Sequence, residues 1–395
     1  MTARIKVCQV LSNYVVGGAE VVALDVARGL DPERFESLVV AVLEPRADKE
    51  PEMRRRFRDA GVATFALHHR SFRNPLALFD MIRFFRRHRP HIIHGHKRFS
   101  DYWSCRAGRW AGVPHRIWTR HSVYLDMNTR QLRRYRSLAQ HTPAILAVSD
   151  AVRENCITTE GLPADKVRTV VNGVDTNRFL PRPRDARIAK RTELGLGDRE
   201  EMLLQVGRPT VEKAPEAFIG MVRRLRERGR SVRGFLCGTG ALMESLRAEA
   251  SRSGVNLLGL RGDVPELLDA ADLIVSTSRV EGLPLNLMET MAAGTAFVGP
   301  DLPQVMQLVA GEPDLVRGIY PRPPRHGNVP ADLLEQWTDR AESLLDDRIL
   351  RARCGERGRA VIRERYSLER MVQAHEQIYT EIVAGQTGQK TGPGS

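Results

Sequence analysis

The sequence is short of cysteine and has no apolar run of the ~20 residues needed to cross a bilayer. Its five cysteines are scattered, odd in number and without a C-x-x-C pair, which argues against a disulfide framework and a zinc site. No basic and apolar leader precedes the strand-like residues 5–11, so we expect a cytoplasmic protein. Aromatic residues amount to 6%, and no base-stacking platform is recognisable, which argues against a nucleic-acid-binding protein.

What the chain does contain is typical of a soluble globular protein. Its 395 residues are too many for one ordinary core and indicate two domains. Hydrophobic residues make up 42% and charged residues 28%, which excludes an intrinsically disordered chain.

The net charge of +13 is concentrated in the N-terminal half, where arginines are dense between Arg54 and Arg136. A merely arginine-rich composition is the alternative, but the clustering indicates an anionic partner, either phospholipid, a phosphorylated acceptor or nucleic acid. Within this region, residues 76–87 form an amphipathic helical pattern. That helix either covers a sheet or docks on acidic lipid.

Residues 271–294 read as a strand, a loop and a helix, with carboxylates at Glu281 in the loop and Glu289 in the helix. Pro284 suits the first helical position, and Gly294 is placed to end the helix. In open α/β sheets, ligands bind outside the carboxyl ends of strands, where ionised carboxylates accept hydrogen bonds from hydroxyl-rich ligands. The alternative is a capping Glu281 and a solvated Glu289.

The frame E-G-x-P-x-x-x-x-E-x-M-A-x-G over residues 281–294 resembles the signature of retaining GT-B glycosyltransferases of family 4. The resemblance implies that Glu281 contacts the donor sugar and that Glu289 holds the ribose of a sugar nucleotide. It also implies that the backbone amides that follow Glu281 approach sugar hydroxyls or phosphate. These amides belong to Gly282, Leu283, Pro284 and Leu285, although proline itself carries no N–H.

Arg208 and Lys213 resemble the family's pair that grips the donor diphosphate, since a guanidinium fork and an ammonium suit two adjacent phosphates. The family usually has glycine after that lysine, whereas this chain has Ala214 and Pro215. The turns at Gly238 and Leu260 correspond to further donor-binding segments. By spacing alone, those two turns are ordinary strand-to-helix connections.

Three features of the N-terminal half also resemble the family. Gly17 and Gly18 follow the first strand, where the family's Gly-Gly-x-Glu closes over the donor diphosphate. His121 matches a T-x-H whose imidazole lies against the donor sugar, and His96 is placed on the acceptor side. His91 and His94 are interpreted as structural or surface residues, and no carboxylate completes a metal-ligand set around them.

The resemblance implies an α/β, GT-B fold with two Rossmann-like domains whose parallel sheets face a central cleft. We expect an acceptor-binding domain over residues 1–175 and a nucleotide-sugar-binding domain over 176–366. A helix over 367–384 is expected to pack back on the first domain, followed by a disordered tail over 385–395. The chain departs from the family pattern at Pro303, Gln304 and Gln307, where a Gly-Gly pair and a Glu are usual.

The expected function is retaining transfer of a hexose or N-acetylhexosamine to a hydroxyl of a cell-envelope glycan or lipid-linked acceptor. The donor is expected to be a UDP- or GDP-linked sugar, with no further cofactor. Since the sequence has no D-x-D triad to hold a metal against a diphosphate, Arg208 and Lys213 would replace the cation, with His121 and Glu281 as the other catalytic residues. Peripheral contact with the inner face of an anionic membrane is compatible with this activity. An epimerase or phosphorylase on the same fold is the alternative.

Overall fold

A computed structural model describes residues 4–44, 50–124 and 126–385. The expected C-terminal tail therefore lies outside the described residues except for Gly385. The chain divides into two compact units. The first, called the N-unit, runs to Gly173 and resumes at Leu368, and the second, called the C-unit, is Val174–Ser367.

The N-unit contains a seven-stranded parallel sheet in the order β3-β2-β1-β4-β5-β6-β7. Its strands are β1 Ile5–Leu11, β2 Phe35–Ala41, β3 Ala63–Ala66, β4 Ile92–His96, β5 His115–Arg120, β6 Ile145–Ala147 and β7 Val167–Thr169. Its helices are α1 Gly18–Gly29, α2 Glu52–Asp59, α3 Pro75–His88, α4 Arg98–Ala111, α5 Thr129–Gln140, α6 Asp150–Thr158 and, after the C-unit, α16 Leu368–Val383.

The C-unit contains a six-stranded parallel sheet in the order β10-β9-β8-β11-β12-β13. Its strands are β8 Glu201–Val206, β9 Val232–Cys237, β10 Val255–Gly259, β11 Leu273–Val275, β12 Phe297–Pro300 and β13 Ile319–Tyr320. Its helices are α7 Arg184–Glu193, α8 Pro215–Glu227, α9 Met243–Arg252, α10 Val264–Ala270, α11 Leu285–Ala293, α12 Pro303–Leu308, α13 Pro313–Val316, α14 Ala331–Asp346 and α15 Arg348–Arg365. Short 3-10 helices cover Thr176–Phe179 and Val211–Lys213.

Both sheets have the doubly wound order of a Rossmann-like fold, in which the direction of winding reverses beside the first strand of the sheet. The reversal lies between β1 and β4 in the N-unit and between β8 and β11 in the C-unit. All strand pairs within the two sheets are parallel, so their carboxyl ends meet at one edge of each sheet. The predicted pair of Rossmann-like units is therefore confirmed.

A buried network anchors β5 and the loop after α6 in the N-unit. The Arg120 guanidinium is fully buried and lies 2.7 Å from an Asp101 carboxylate oxygen and 2.8 Å from one of Glu160. Burial raises the pKa of Asp101 well above its usual range, and the nearby Arg120 charge opposes that rise. Because two carboxylates share one cation, this cluster depends on Arg120.

Within the described residues, no helix combines the length and the apolar character that a bilayer-spanning segment requires.

Candidate functional site

The winding reversal in the C-unit brings three predicted residues to one place. Arg208 follows β8, Lys213 ends the next 3-10 helix, and Glu281 lies between β11 and α11. The Lys213 ammonium lies 2.5 Å from Glu281 Oε1, and Glu281 is only 8% exposed. An ammonium and a carboxylate therefore meet where open α/β sheets bind their ligands.

Lys213 is held through its backbone. The Thr277 hydroxyl donates to the Lys213 carbonyl oxygen at 2.8 Å, and the Gln205 side-chain amide donates to the Thr277 hydroxyl at 2.8 Å. Ala214 takes the left-handed conformation, with φ 43° and ψ 53°, that glycine adopts without strain. Without the usual glycine, the loop keeps a left-handed turn at a cost of roughly 1–2 kcal/mol.

Arg279, which the sequence reasoning did not single out, fastens the loop after β11 to this turn. Its side chain is 4% exposed, and its Nε donates to the Val211 carbonyl at 3.1 Å. Its guanidinium also contacts a Glu216 carboxylate oxygen at 2.8 Å, and its backbone N–H donates to the Glu212 carbonyl at 2.7 Å. Arg279 thereby ties the segment carrying Glu281 to the one carrying Lys213. In the sequence, this role is signalled only by the position of an arginine two residues before Glu281.

Arg208 is exposed and forms no ion pair or side-chain hydrogen bond within the described part of the chain, but its charge helps to lower the pKa of Glu212, after the hydrogen bonds that Glu212 accepts. Its loop packs closely on the turn after β9, because a Cβ added to Gly238 would lie 2.1 Å from the Gly207 carbonyl oxygen. Gly238 also has a φ of 144°. A glycine is therefore required at position 238 for two loops to approach one another.

Helix α11 begins at Leu285 with Pro284 as its N-cap, so the proline lies one residue before the first helical position and not at it, as was predicted. Asn286 Nδ2 donates to the Val206 carbonyl at 2.9 Å, which ties the start of α11 to the end of β8. Gly282 and Leu283 are buried within the loop before the helix.

Glu289 lies farther along α11, near the carboxyl end of β9. Burial raises the pKa of the Cys237 thiol to about 11, and the negative charges of Asp263 and Glu289 add to the rise. Leu260, one residue after β10, is 52% exposed. The predicted donor-binding residues of the C-unit thus gather at one edge of its sheet, while their contacts with a donor stay a prediction.

In the N-unit, Gly17 and Gly18 stand at the start of α1, above the fully buried carboxylate of Glu20. A Cβ added to Gly17 would lie 2.7 Å from a Glu20 oxygen, so the glycine serves close packing. The Lys97 ammonium forms an ion pair with Glu20. Lys97 follows β4 with φ 75° and ψ 149°, a strained backbone for a residue with a side chain. Strain of this kind clusters at functional sites, and the sequence reasoning missed Lys97.

His96 and His121 are brought together at the carboxyl ends of β4 and β5. His96 Nδ1 lies 2.9 Å from His121 Nε2, and His96 Nε2 lies 2.7 Å from Gln9 Oε1. Burial lowers the pKa of His121 to about 3, with a further contribution from the Lys97 charge. Both imidazoles are therefore neutral in the folded protein near pH 7.

The hydrogen-bond partners decide which nitrogen of each ring carries the proton. In the arrangement present, Gln9 Oε1 accepts, so His96 Nε2 carries hydrogen and His96 Nδ1 accepts from His121 Nε2. His121 is then left with an unprotonated Nδ1. Gln9 is fully buried on β1 and thus orients a predicted catalytic residue that it does not touch.

His94 is also fully buried, so of the two predicted positions, structural or surface, the structure shows the structural one. Its Nδ1 lies 2.7 Å from the Tyr379 hydroxyl of α16, and its Nε2 lies 2.7 Å from the Thr119 hydroxyl. Tyr379 also lies 3.5 Å from Gln9 Nε2. The chain of contacts therefore links α16 with the histidines of β4. Within the described residues, no group of three His, Cys, Asp or Glu side chains is arranged to hold a metal ion.

Two family models match most of the chain. "Glycosyltransferase Family 4" matches residues 16–178, and "Glycosyl transferases group 1" matches residues 200–347.

Curated relatives are similar over much of their length. An alpha-D-kanosaminyltransferase of Streptomyces kanamyceticus is 28% identical over 62% of this chain and 62% of its own length. A UDP-Gal:alpha-D-GlcNAc-diphosphoundecaprenol alpha-1,3-galactosyltransferase of Escherichia coli is 24% identical over 80% of this chain and 83% of its own. The lipopolysaccharide core biosynthesis mannosyltransferase LpsB of Rhizobium meliloti is 29% identical over 54% of this chain and 60% of its own length.

Solved structures share the fold. Anabaena HepE in complex with UDP and glucose superposes with a TM-score of 0.80 at 18% identity, covering 96% of this chain and all of HepE. WaaG, a glycosyltransferase involved in lipopolysaccharide biosynthesis, gives a TM-score of 0.72 at 16% identity, covering 95% and 99%. The predicted GT-B fold class is confirmed. The two family matches, which together cover most of the sequence, show that the chain belongs to the family 4, group 1 glycosyltransferases.

Proposed function

We propose that this glycosyltransferase moves a hexose or N-acetylhexosamine from a nucleoside-diphosphate sugar to a hydroxyl group, with retention of configuration and without a metal ion. The observation that carries the proposal is the contact between Lys213 and Glu281 at the reversal between β8 and β11. It sets a cation for phosphate beside an acceptor for sugar hydroxyls. The family resemblance supports retention.

The roles follow from charge. The bond from the anomeric carbon to the diphosphate oxygen breaks, and Arg208 and Lys213 stabilise the negative charge that collects on the leaving diphosphate. The acceptor hydroxyl attacks from the same face, and its proton passes to the departing phosphate oxygen. Glu281 orients the sugar, Glu289 accepts from the ribose hydroxyls, and neutral His121 faces the sugar.

The exposed guanidinium of Arg208 is available to a diphosphate, since none of the described ion pairs or side-chain hydrogen bonds engages it, although its charge acts on the nearby Glu212 carboxylate. Lys213, by contrast, must turn from Glu281 or bridge it to the phosphate. The pair is therefore a switchable contact, in which diphosphate competes with Glu281 for the ammonium.

The acceptor is proposed from the relatives. Two of them act in envelope glycan synthesis by their names, one on a diphosphoundecaprenol-linked sugar and one on the lipopolysaccharide core. We therefore favour a cell-envelope glycan or lipid-linked acceptor, with UDP- or GDP-sugar as donor. A cytoplasmic location with peripheral contact between the arginine-rich N-unit and an anionic membrane fits such an acceptor.

The first experiment is a thermal-shift panel of UDP-, GDP- and ADP-linked sugars. The cognate donor at 100 times its Kd should stabilise the folded state by about 2.7 kcal/mol. Lys213→Ala and Glu289→Ala should each reduce transfer by roughly 10²–10³-fold, the effect of removing a group that stabilises developing charge. EDTA should leave the rate unchanged, and NMR of the product should show the anomeric configuration of the donor.

The matched control is Glu244→Ala, which removes an exposed carboxylate from α9 and should not alter transfer. Full activity in Lys213→Ala or Glu289→Ala would show that the site is misassigned. An isomerised or phosphorolysed sugar with no acceptor-linked product would replace transfer with the epimerase or phosphorylase alternative.

A further inference from the structure

The N-unit has a groove between α4 and α5 with a volume of about 520 Å³, in the range of small-ligand sites. Its walls carry six arginines and no carboxylate: Arg106, Arg109, Arg116, Arg130, Arg133 and Arg134.

The arginines are not neutralised by the protein. Arg109, Arg130 and Arg133 are exposed and have no side-chain partner within the described residues. Elsewhere on the surface arginines commonly meet acids, as Arg228 meets Glu335, Asp339 and Glu342. A concentration of unpaired guanidinium groups attracts anions.

Part of the groove is rigid. The Arg106 guanidinium lies 5.5 Å from the ring centroid of Trp110 and 5.6 Å from that of Tyr102, and it donates to the Tyr102 hydroxyl at 2.8 Å. Arg116 donates to the carbonyl of His141 at 3.3 Å, which joins β5 to the end of α5. Burial lowers the pKa of Arg116, and repulsion from Arg109 adds to the effect. Two fixed cations thus stand beside three unpaired ones, so less side-chain entropy is lost when an anion binds.

One end of the groove is distinct from the edge that carries His96 and His121. Helix α4 starts after β4 and ends before β5, so Arg109 and Trp110 lie toward the amino ends of the strands. His96 and His121 lie at the carboxyl ends. A ligand held by Arg109 is therefore away from these histidines, whereas Arg130, at the start of α5, lies toward the carboxyl end of β5.

We infer that the groove between α4 and α5 is a binding site for phosphate groups, which guanidinium forks recognise through paired hydrogen bonds. The phosphates belong either to lipid headgroups or to a soluble phosphorylated glycan. The inference rests on the anionic partner proposed for the N-unit, and it does not require sugar transfer, because binding is measured directly.

The test compares two double variants of the full-length chain that lose the same charge. Arg109→Gln with Arg133→Gln empties the groove of two unpaired cations. Arg252→Gln with Arg340→Gln removes two exposed, unpaired arginines of the C-unit and serves as the control. Neither change removes a side-chain contact seen in the described chain, and circular dichroism with thermal unfolding verifies the folds.

One arm measures binding to vesicles of phosphatidylcholine with and without phosphatidylglycerol, and the other measures binding of inorganic pyrophosphate by calorimetry. Pyrophosphate that binds near Arg208 and Lys213 does so in both variants, so it does not contribute to the difference between them. With the probe that the groove binds, either anionic vesicles or pyrophosphate, the groove variant should bind about 30-fold more weakly than the control. Its affinity should also decrease as the salt concentration is raised.

A groove-dependent loss only with phosphatidylglycerol vesicles assigns the phosphates to lipid, and a loss only with pyrophosphate assigns them to a soluble ligand. Equal binding by the two variants in both arms, or no binding in either, overturns the inference. The nucleotide-sugar thermal shift should be the same in both variants. Its absence from the unaltered protein would instead count against the proposed function.

Discussion

Gly238→Ala tests whether the turn after β9 and the loop carrying Arg208 are locked together. The added Cβ would lie 2.1 Å from the Gly207 carbonyl oxygen and 3.4 Å from the Arg208 backbone nitrogen. The two loops cannot separate freely, because Gly207 N donates to the Cys237 carbonyl at 2.9 Å and Gly238 N donates to that of Gly259 at 2.8 Å.

Two terms set the expected loss of stability. A residue with a side chain at φ 144° costs roughly 1–3 kcal/mol. Forcing a methyl group into a packed site costs about 1–3 kcal/mol more. We therefore expect Gly238→Ala to lower the free energy of unfolding of the C-unit by about 2–6 kcal/mol. It should also weaken nucleotide-sugar binding, because relief of the clash moves the backbone of Arg208.

The assay is urea unfolding of protein labelled with fluorotryptophan, followed by ¹⁹F NMR. Trp337 is the single tryptophan of the C-unit, so its signal reports that unit separately from the other three tryptophans. The control is Gly262→Ala, whose Cβ would meet nothing within 4 Å and whose φ is not positive. The control should change stability by less than about 0.5 kcal/mol. An unfolding midpoint of Trp337 that is the same in Gly238→Ala as in the unaltered protein would refute the reasoning.

Three further outcomes follow from buried groups. Ala214→Gly should raise the free energy of unfolding of the C-unit, measured in urea, by up to about 1 kcal/mol, since glycine adopts the left-handed conformation without strain. A decrease would show that packing of the Ala214 methyl group stabilises the C-unit by more than the strain costs. Arg120→Met should destabilise the N-unit by about 3–5 kcal/mol, because Glu160 keeps a buried carboxylate without its cation; a near-neutral result would contradict this dependence. Burial lowers the pKa of His121 to about 3 and of His375 to about 4. Below pH 6.5 the unfolded chain therefore binds more protons than the folded chain, and the free energy of unfolding falls as the pH is lowered. Each contributes about 1.4 kcal/mol per pH unit below that point, and His375→Gln should reduce the measured slope by one proton.

Much of the architecture could be predicted from local sequence. Apolar and β-branched runs marked the strands, so residues 5–11 were interpreted as strand-like and form β1. A following glycine marked the end of α11, where Gly294 takes a left-handed conformation with φ 76°. Helices α4 and α5 were not predicted. Their arginine-rich sequences were interpreted by charge and not by helical spacing, although both helices are amphipathic.

The candidate site was predictable where a motif is contiguous. Glu281 and Glu289 lie in one strand-loop-helix segment, so their spacing placed them on consecutive structural elements. The contact between Glu281 and Lys213 was different, because it joins residues 68 positions apart in the chain. Only the order of strands in the sheet brings them together.

By itself, then, the sequence determined the two units, their parallel strands and the residues that carry charge, because local periodicity and composition encode them. Tertiary structure decided which side chains are neutralised. It paired Glu20 with Lys97, linked Gln9 through His96 to His121, and left Arg109, Arg130 and Arg133 unpaired within the described chain. The reason is that burial and long-range contacts fix the charge and proton position of a side chain, and neither can be read from its neighbours in sequence.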